Sequence, residues 1–329
     1  MNEDEDFRST MYPDISVLIP TYNGSKTIGK VLDSILIQKY DANIEIIVVD
    51  DHSTDNTLEV VKQYPVTISH NKANMGLARS VNNGVTEARY DIICIIHEDV
   101  VLTDNEWFKK LIPYLKDDVA CVTSPVLLPE EVYADFGFWE KALFSWEVGS
   151  EYNNSVITLD YSDGKNDIFR KGIFLEFGGF DGDTYRVACE DVDLSKRLQM
   201  AGYKILSVPA PVYHLHSSHA TGLSTILFRK NPQLSEGQGV LFRKYWFIGG
   251  WNNQLWKTFA IILFFVPFLA VRLIGVAYIA AIIFGSTYSV FKRMNEPKIL
   301  VLLPPVKLID YILNVWYFWK GFITEKQRK

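Results

Sequence analysis

Between residues 15 and 123 two kinds of hydrophobic spacing alternate. Segments 15–19, 44–49, 66–69, 92–96 and 119–122 are short, rich in β-branched residues and almost unbroken in apolar character, which predicts strands buried on both faces. Between them Ile28, Val31, Leu32, Ile35 and Leu36 fall at the three- and four-residue spacing of one helix face, and Leu77, Ala78, Val81, Val85 and Ala88 repeat it. This β-α-β-α-β order predicts an α/β fold with a parallel sheet, whose ligands bind in the crevice beyond the carboxyl ends of the strands. From 125 to 167 the sequence turns aromatic and irregular; a helix near 191–201 and a strand at 204–208 then resume the pattern. One domain over 14–220 is expected, behind a polar tail at 1–13.

After about residue 220 the spacing changes. Residues 258–271 are uncharged, Arg272 interrupts, and 273–291 are uncharged again. At about 1.5 Å per residue these runs reach roughly 21 and 28 Å, against a hydrocarbon layer of about 30 Å. Residues 221–329 are therefore expected to be helical and membrane-associated, either as a hairpin turning at Arg272 or as two helices lying in the interface. A buried helical hairpin of a soluble protein is the plain alternative. Lys257 on one flank and Lys292, Arg293 and Lys298 on the other favour both ends on the cytoplasmic face of the membrane. Residues 299–322 read as a third, amphipathic stretch whose Trp316, Tyr317 and Trp319 suit the headgroup level or a core.

Composition narrows the class. With 329 residues, 48% of them hydrophobic and 22% charged, the chain has room for a large core, and disorder is excluded. A net charge of −6 argues against nucleic acid as a partner. Cys94, Cys121 and Cys189 are an odd set without CxxC spacing; neither a disulfide framework nor a thiolate zinc site follows, and a reducing compartment fits. The acidic start lacks a secretory signal's basic and apolar segments, so the first domain is expected to stay in the cytosol.

Candidate chemistry sits in the loops after the strands. The first strand ends in Pro20-Thr21-Tyr22-Asn23-Gly24 and the second in Asp50-Asp51-His52-Ser53. Two acids at the end of a buried strand are costly unless they bind something, and a nucleoside offers the donors; capping of the next helix is the bland reading. After the third strand Gly76 opens a helix, with Arg79 in its first turn, a geometry suited to phosphate, although Arg79 reads equally as a solvated charge. After the fourth come His97-Glu98-Asp99, where a carboxylate leaving an apolar strand suits Mg²⁺ or Mn²⁺. Glu190 and Asp191 begin a helix, where acids are stabilising in any protein, and a carboxylate there is held ionised and oriented. Asp193 reads as an ordinary first-turn acid, and Arg197 as reaching either a diphosphate or a surface acid.

In order, Ser16-Val17-Leu18-Ile19-Pro20-Thr21-Tyr22-Asn23-Gly24, Val48-Val49-Asp50-Asp51-His52-Ser53, Asn74-Met75-Gly76-Leu77-Ala78-Arg79, Gly178-Gly179-Phe180-Asp181 and Glu190-Asp191-Val192-Asp193-Leu194 resemble the motif series of family 2 inverting glycosyltransferases, over about residues 14–219. The resemblance implies a Rossmann-like GT-A fold, a nucleotide-diphospho-sugar donor and a divalent cation, Mg²⁺ or Mn²⁺. It assigns Pro20, Thr21, Tyr22, Asp50, Asp51, Gly76, Arg79 and Glu98 to the nucleotide, and Gly178, Gly179, Phe180 and Asp181 to the sugars. Asp191 becomes the base, with Glu190 second. Asp99 becomes the metal-binding last acid of the family's DxD element, with His97 standing where the first Asp is usual. His214 or His216 would close on the metal or diphosphate.

The leading expectation is transfer of a sugar to an acceptor hydroxyl, in surface polysaccharide or lipid-linked glycan synthesis, at the cytoplasmic face of the cell membrane. A polyprenyl-phosphate sugar synthase and a catalytically inactive, membrane-tethered nucleotide-sugar binding protein are the alternatives. A sugar nucleotidyltransferase is disfavoured, because its glycine-rich loop is missing after the first strand.

Overall fold

The computed structural model describes residues 12–144, 152–216, 222–246 and 252–326. The polar tail through residue 11, His219 and the 220/221 boundary lie outside the described residues. The chain divides into two compact units, one of Met1–Pro129, Gly149–Arg186 and Glu190–His219, the other of Glu130–Val148, Val187–Cys189 and Ala220–Lys329. Residues 130–148, expected inside the first domain, thus belong to the second unit.

The first unit contains strands β1 (Ile15–Thr21), β2 (Ile44–Asp50), β3 (Thr67–His70), β4 (Ile92–Ile96), β5 (Val100–Leu102), β6 (Val119–Thr123), β7 (Val126–Leu127), β8 (Ile157–Thr158), β9 (Asn166–Arg170), β10 (Lys204–Ser207) and β11 (Val212–His214). Its helices are α1 (Ile28–Leu36), α2 (Thr57–Val61), α3 (Leu77–Glu87), α4 (Trp107–Leu111), α5 (Lys171–Glu176) and α6 (Glu190–Met200). Eight strands form one sheet in the order β3-β2-β1-β4-β9-β6-β10-β8, and β5-β11-β7 form a second. Along β1, Val17 and Ile19 pack on one face of the large sheet and Leu18 on the other, the alternation of a strand covered on both sides.

The large sheet is mixed, not parallel as expected. β9 runs antiparallel to both β4 and β6, so it starts where they end: Asn166 pairs with Ile96. This reversal brings the loop before β9 to the ligand rim. β3 is not buried either; as an edge strand with one neighbour it is partly exposed along its length. In the small sheet His214 pairs with Val100, which sets it beside the loop after β4.

The second unit contains short helices Glu130–Ala134 and Phe138–Phe144, and then α7 (Asn231–Tyr245), α8 (Asn252–Phe264), α9 (Leu269–Met294) and α10 (Ile299–Thr324). The apolar hairpin turns at 265–268, before Arg272, whose Nε donates to the Val266 carbonyl at 2.6 Å. Among the described residues α9 and α10 are the two helices that could cross a membrane by length and composition, so the stretch expected to be a merely amphipathic third element is as long as α9.

Candidate active site

The loops after β1, β2, β3 and β4 meet in a cleft of about 270 Å³ lined by Pro20, Thr21, Tyr22, Asp51, Leu77, Ser80, His97, Glu98, Asp99 and His214. Asp51 is nearly inaccessible and holds the cleft's floor together. Its Oδ1 accepts the Met75 N–H at 2.7 Å and the Asn71 amide at 2.9 Å, and its Oδ2 the Gly76 N–H at 2.8 Å. Charge-assisted bonds of this kind compensate the burial of the carboxylate. Gly76 has φ +88°, and a Cβ there would come within 3.1 Å of the Arg186 carbonyl, so glycine is required by backbone conformation. Asp50, fully buried, accepts from Ser53 N–H at 3.2 Å and lies 2.7 Å from His70 Nδ1.

Two of the phosphate candidates have partners of their own. The Gly76 N–H is already taken by Asp51, and Arg79 is paired with Asp183. Glu98 accepts the Tyr22 N–H at 2.6 Å, and burial pushes its carboxyl up to about 7. A Cβ on Gly24 would sit 2.8 Å from Thr21 Oγ1 and 3.0 Å from the Glu98 carboxyl, so a larger residue there would push these two side chains aside. Asn23, unassigned in the sequence, pins the same junction: its side-chain oxygen accepts the Thr54 N–H at 2.7 Å while its own N–H donates to Ser53 Oγ at 2.9 Å.

Asp99 Oδ2 lies 3.3 Å from His214 Nε2, because β11 pairs with β5 directly after Asp99 and the Leu215 N–H donates to the Asp99 carbonyl. His216 stacks on His214 with ring centroids 4.0 Å apart. Burial pushes His97 down to about 4, so its ring is neutral at physiological pH. Among the described residues no three His, Cys, Asp or Glu side chains converge as a preformed metal cage. Carboxylate and imidazole donors on the wall of an open cleft nevertheless fit a divalent cation that takes further ligands from a diphosphate.

The acceptor side is built around β9. The Lys165 carbonyl accepts the His97 N–H at 3.0 Å, and a Cβ on Gly164, φ +72°, would lie 3.2 Å from both Cβ and Oδ2 of Asp191. His97 and Asp191 are therefore bridged by two consecutive residues. Asp191 begins α6, is partly accessible, and its Oδ1 accepts the Val192 N–H at 2.7 Å. Burial, with Asp163 adding repulsion, pushes its carboxyl up to about 6. Glu190 is buried with Oε2 unpartnered; burial and the adjacent Asp191 push it up as well. Sequence reasoning missed Asp167. It is wholly inaccessible, neither of its oxygens makes a well-formed hydrogen bond among the described residues, and burial, only partly offset by the nearby Ser162 and Thr123 hydroxyls, pushes it up to about 7. The only signal was an acid at the start of an apolar strand.

Other expectations become structural roles. Asp193 is fully buried and pairs with Arg197 Nε at 2.8 Å, while Arg197 also donates to the Phe177 and Gly179 carbonyls; it reaches neither a diphosphate nor a surface acid. Gly178 and Gly179 take positive φ to end α5. Phe180 packs in the core against Phe174. Asp181 Oδ1 accepts the Asp183 and Thr184 N–H groups. The turn assigned to the sugars thus braces α6.

Residues 16–154 match the family model described as glycosyl transferase family 2. The chain is 24% identical over 240 residues to the poly-beta-1,6-N-acetyl-D-glucosamine synthase of Staphylococcus epidermidis, covering 70% of this chain and 56% of that protein. It is 25% identical over 220 residues to the synthase of the same description from Staphylococcus aureus strain COL, covering 64% and 51%. The chain spans about half the length of these curated relatives. Among solved structures it resembles the mannosyltransferase PcManGT from Pyrobaculum calidifontis, in complex with GDP-Man and Mn²⁺, with TM-score 0.60 at 18% identity over 93% of this chain and 88% of that one. GalNAc-T7 with UDP, GalNAc and Mn²⁺ follows with TM-score 0.57 at 16% identity, over 76% and 51%. Ordered motifs, a mixed sheet with its rim cleft, and these likenesses show that the chain has the GT-A fold and that residues 16–154 are similar to glycosyl transferase family 2.

Proposed function

We propose that this chain transfers a sugar, with inversion, from a nucleotide-diphospho-sugar to a hydroxyl of a growing glycan at a membrane surface. One observation carries the reading: the cleft bearing Asp51, Glu98 and Asp99 and the base candidate Asp191 share a rim, joined through the Lys165–His97 hydrogen bond and the Gly164–Asp191 contact. Asp191 takes the proton of the acceptor hydroxyl as that oxygen bonds to the anomeric carbon. The bond from that carbon to the diphosphate breaks, and the nucleoside diphosphate leaves from the opposite face. Partial burial raises the proton affinity of Asp191 while the Val192 N–H orients it. The walls around Tyr22, Asp51 and Glu98 hold the nucleoside end.

Asp99, with His97 and His214, would hold a divalent cation, and such an ion supplies neutralisation of the leaving diphosphate. Imidazole donors favour Mn²⁺ over Mg²⁺, and the two solved neighbours hold Mn²⁺. The relatives' description as polysaccharide synthases supports a glycan acceptor, sugar or lipid-linked. The exposed apolar helices of the second unit support attachment to the cell membrane, with the catalytic unit on the cytoplasmic side. Incubation of the full chain with a panel of nucleotide sugars and oligosaccharide acceptors, with Mn²⁺ or with chelator, tests this. The expected result is a product of inverted anomeric configuration from one donor class, lost on chelation. A retained configuration, or no transfer with any donor while nucleotide still binds, would overturn it.

A further inference from the structure

α10 is apolar enough to cross a bilayer, but its packing forbids it. α7 runs parallel to its second half at a constant offset: Asn231 Nδ2 donates to Asp310 Oδ1 at 2.7 Å, Ser235 Oγ to Asn314 Oδ1 at 2.8 Å, and Arg243 Nη1 to the Phe322 carbonyl at 3.0 Å. Glycine makes the approach possible, since a Cβ on Gly239 would lie 1.9 Å from the Phe318 carbonyl and one on Gly321 1.9 Å from that of Glu236. Lys320 Nζ lies 2.9 Å from the buried Glu236 carboxylate. α7 is a polar helix ending in Arg243 and Lys244, and hydrocarbon would leave such groups unsolvated. Residues 310–324 therefore cannot pass through the acyl layer together with α7.

What remains of α10, 299–309, reaches about 16 Å, half the hydrocarbon thickness. Pro304 and Pro305 lie inside that part and, lacking N–H groups, leave the Leu300 and Val301 carbonyls without their usual donors. Water or headgroups can serve them at an interface. α8 has 13 residues, about 20 Å, so it cannot carry the chain across and back to a crossing α9. Yet exposed apolar side chains run the whole length of α10, at Val301, Leu308, Ile312, Trp316 and Ile323, and along α9 at Leu269, Leu273, Val276, Phe284 and Tyr288. An upright α10 would leave its last three in water.

Charge identifies the surface. Residues 222–329 carry fourteen Lys and Arg against four Asp and Glu, whereas the residues before them carry nineteen against thirty-five. We propose that α8, α9 and α10 lie in the plane of one leaflet's interface, apolar stripes on the acyl chains and basic side chains on anionic headgroups, without crossing the bilayer. An apolar groove of about 410 Å³ between them, lined by Phe264, Ile279, Phe284, Pro304 and Leu308 among others, can take part of an acyl chain.

This rests on the membrane attachment inferred above, and the test separates the two. The full chain is added to preformed vesicles of phosphatidylcholine alone or with one-third phosphatidylglycerol, and flotation is measured. Binding is expected to be at least several-fold stronger with phosphatidylglycerol and to weaken in high salt. The combined Lys292→Gln, Arg293→Gln and Lys298→Gln variant should lose roughly a hundredfold in affinity, at about 1 kcal/mol per cation. The native thiols are buried, so a Phe268→Cys thiol at the turn can be probed with an impermeant maleimide trapped in the vesicle lumen. No labelling is expected. Luminal labelling would overturn the in-plane placement, and equal, salt-insensitive binding to both vesicles would overturn the anionic surface. Absence of binding to either would overturn attachment itself, with transfer to a soluble acceptor still measurable.

Discussion

The two halves of the rim treat their acids in opposite ways. On the nucleotide side Asp51 receives three hydrogen bonds, and Asp50 is tied to Ser53 and His70. On the acceptor side Glu190 Oε2 and both oxygens of Asp167 lack a well-formed hydrogen bond among the described residues, and Asp191 accepts from the Val192 N–H. A satisfied carboxylate is a fixed acceptor that shapes a loop; an under-satisfied one binds protons more tightly. Glu98, which burial pushes up to about 7 on the nucleotide wall, is the exception; Asp50 and Asp51 are built to hold a loop and its ligand, and Asp191 to exchange a proton.

Removing a satisfied acid should cost most. Asp51→Ala leaves two backbone N–H groups and the Asn71 amide unpaired in a buried place, and is expected to destabilise the fold by about 3 kcal/mol. Denaturant unfolding measures this, and loss of nucleotide affinity should accompany it. A variant as stable as the wild type would erase the contrast between the halves.

Removing an unsatisfied acid should do the reverse. Unfolded, Asp167 ionises near 3.8; folded, it keeps its proton until about 7. As pH rises from about 4 to about 7 the unfolded state releases that proton first, so the wild type loses stability across this window and no more above it. Asp167→Asn removes the penalty. Its melting temperature relative to wild type should climb between pH 4 and 7, equivalent to about 4 kcal/mol at the top, at about 1.4 kcal/mol per unit between the two ionisations; a pH-independent difference would show that Asp167 is already paired. Smaller still is Asp163→Asn. Asp163 is paired with Lys165 and partly exposed, so screening limits its repulsion of Asp191, and the acid limb of the rate profile should move down by less than about one pH unit. An upward move would reverse the assigned sign.

Much of the first half was legible. Periodicity located β1, β2, β4 and the helices between them because β-branched runs and helical faces are local signals, and motif order pointed to the GT-A fold. The reversal of β9 was not legible, since strand direction depends on which neighbours it joins. The same non-local choice placed Lys165 beside His97 and Asp167 beneath the rim. The bracing of α6 by Gly178 to Asp181 and Arg197 was hidden for a related reason: a polar or glycine-rich turn reads alike whether or not it also braces a helix, as these do through Asp193. In the second unit hydropathy found the apolar helices but not the parallel pairing of α7 with α10.

The central claim is that Asp191 is the base. Turnover with saturating donor and acceptor, measured from pH 5 to 8 for wild type and Asp191→Asn, tests it most directly. The wild-type rate should rise through about pH 6 to a plateau, and the variant should retain donor binding while its turnover drops by about a thousandfold and loses that pH dependence. A variant that keeps the same limb, or near-normal turnover, would contradict the assignment.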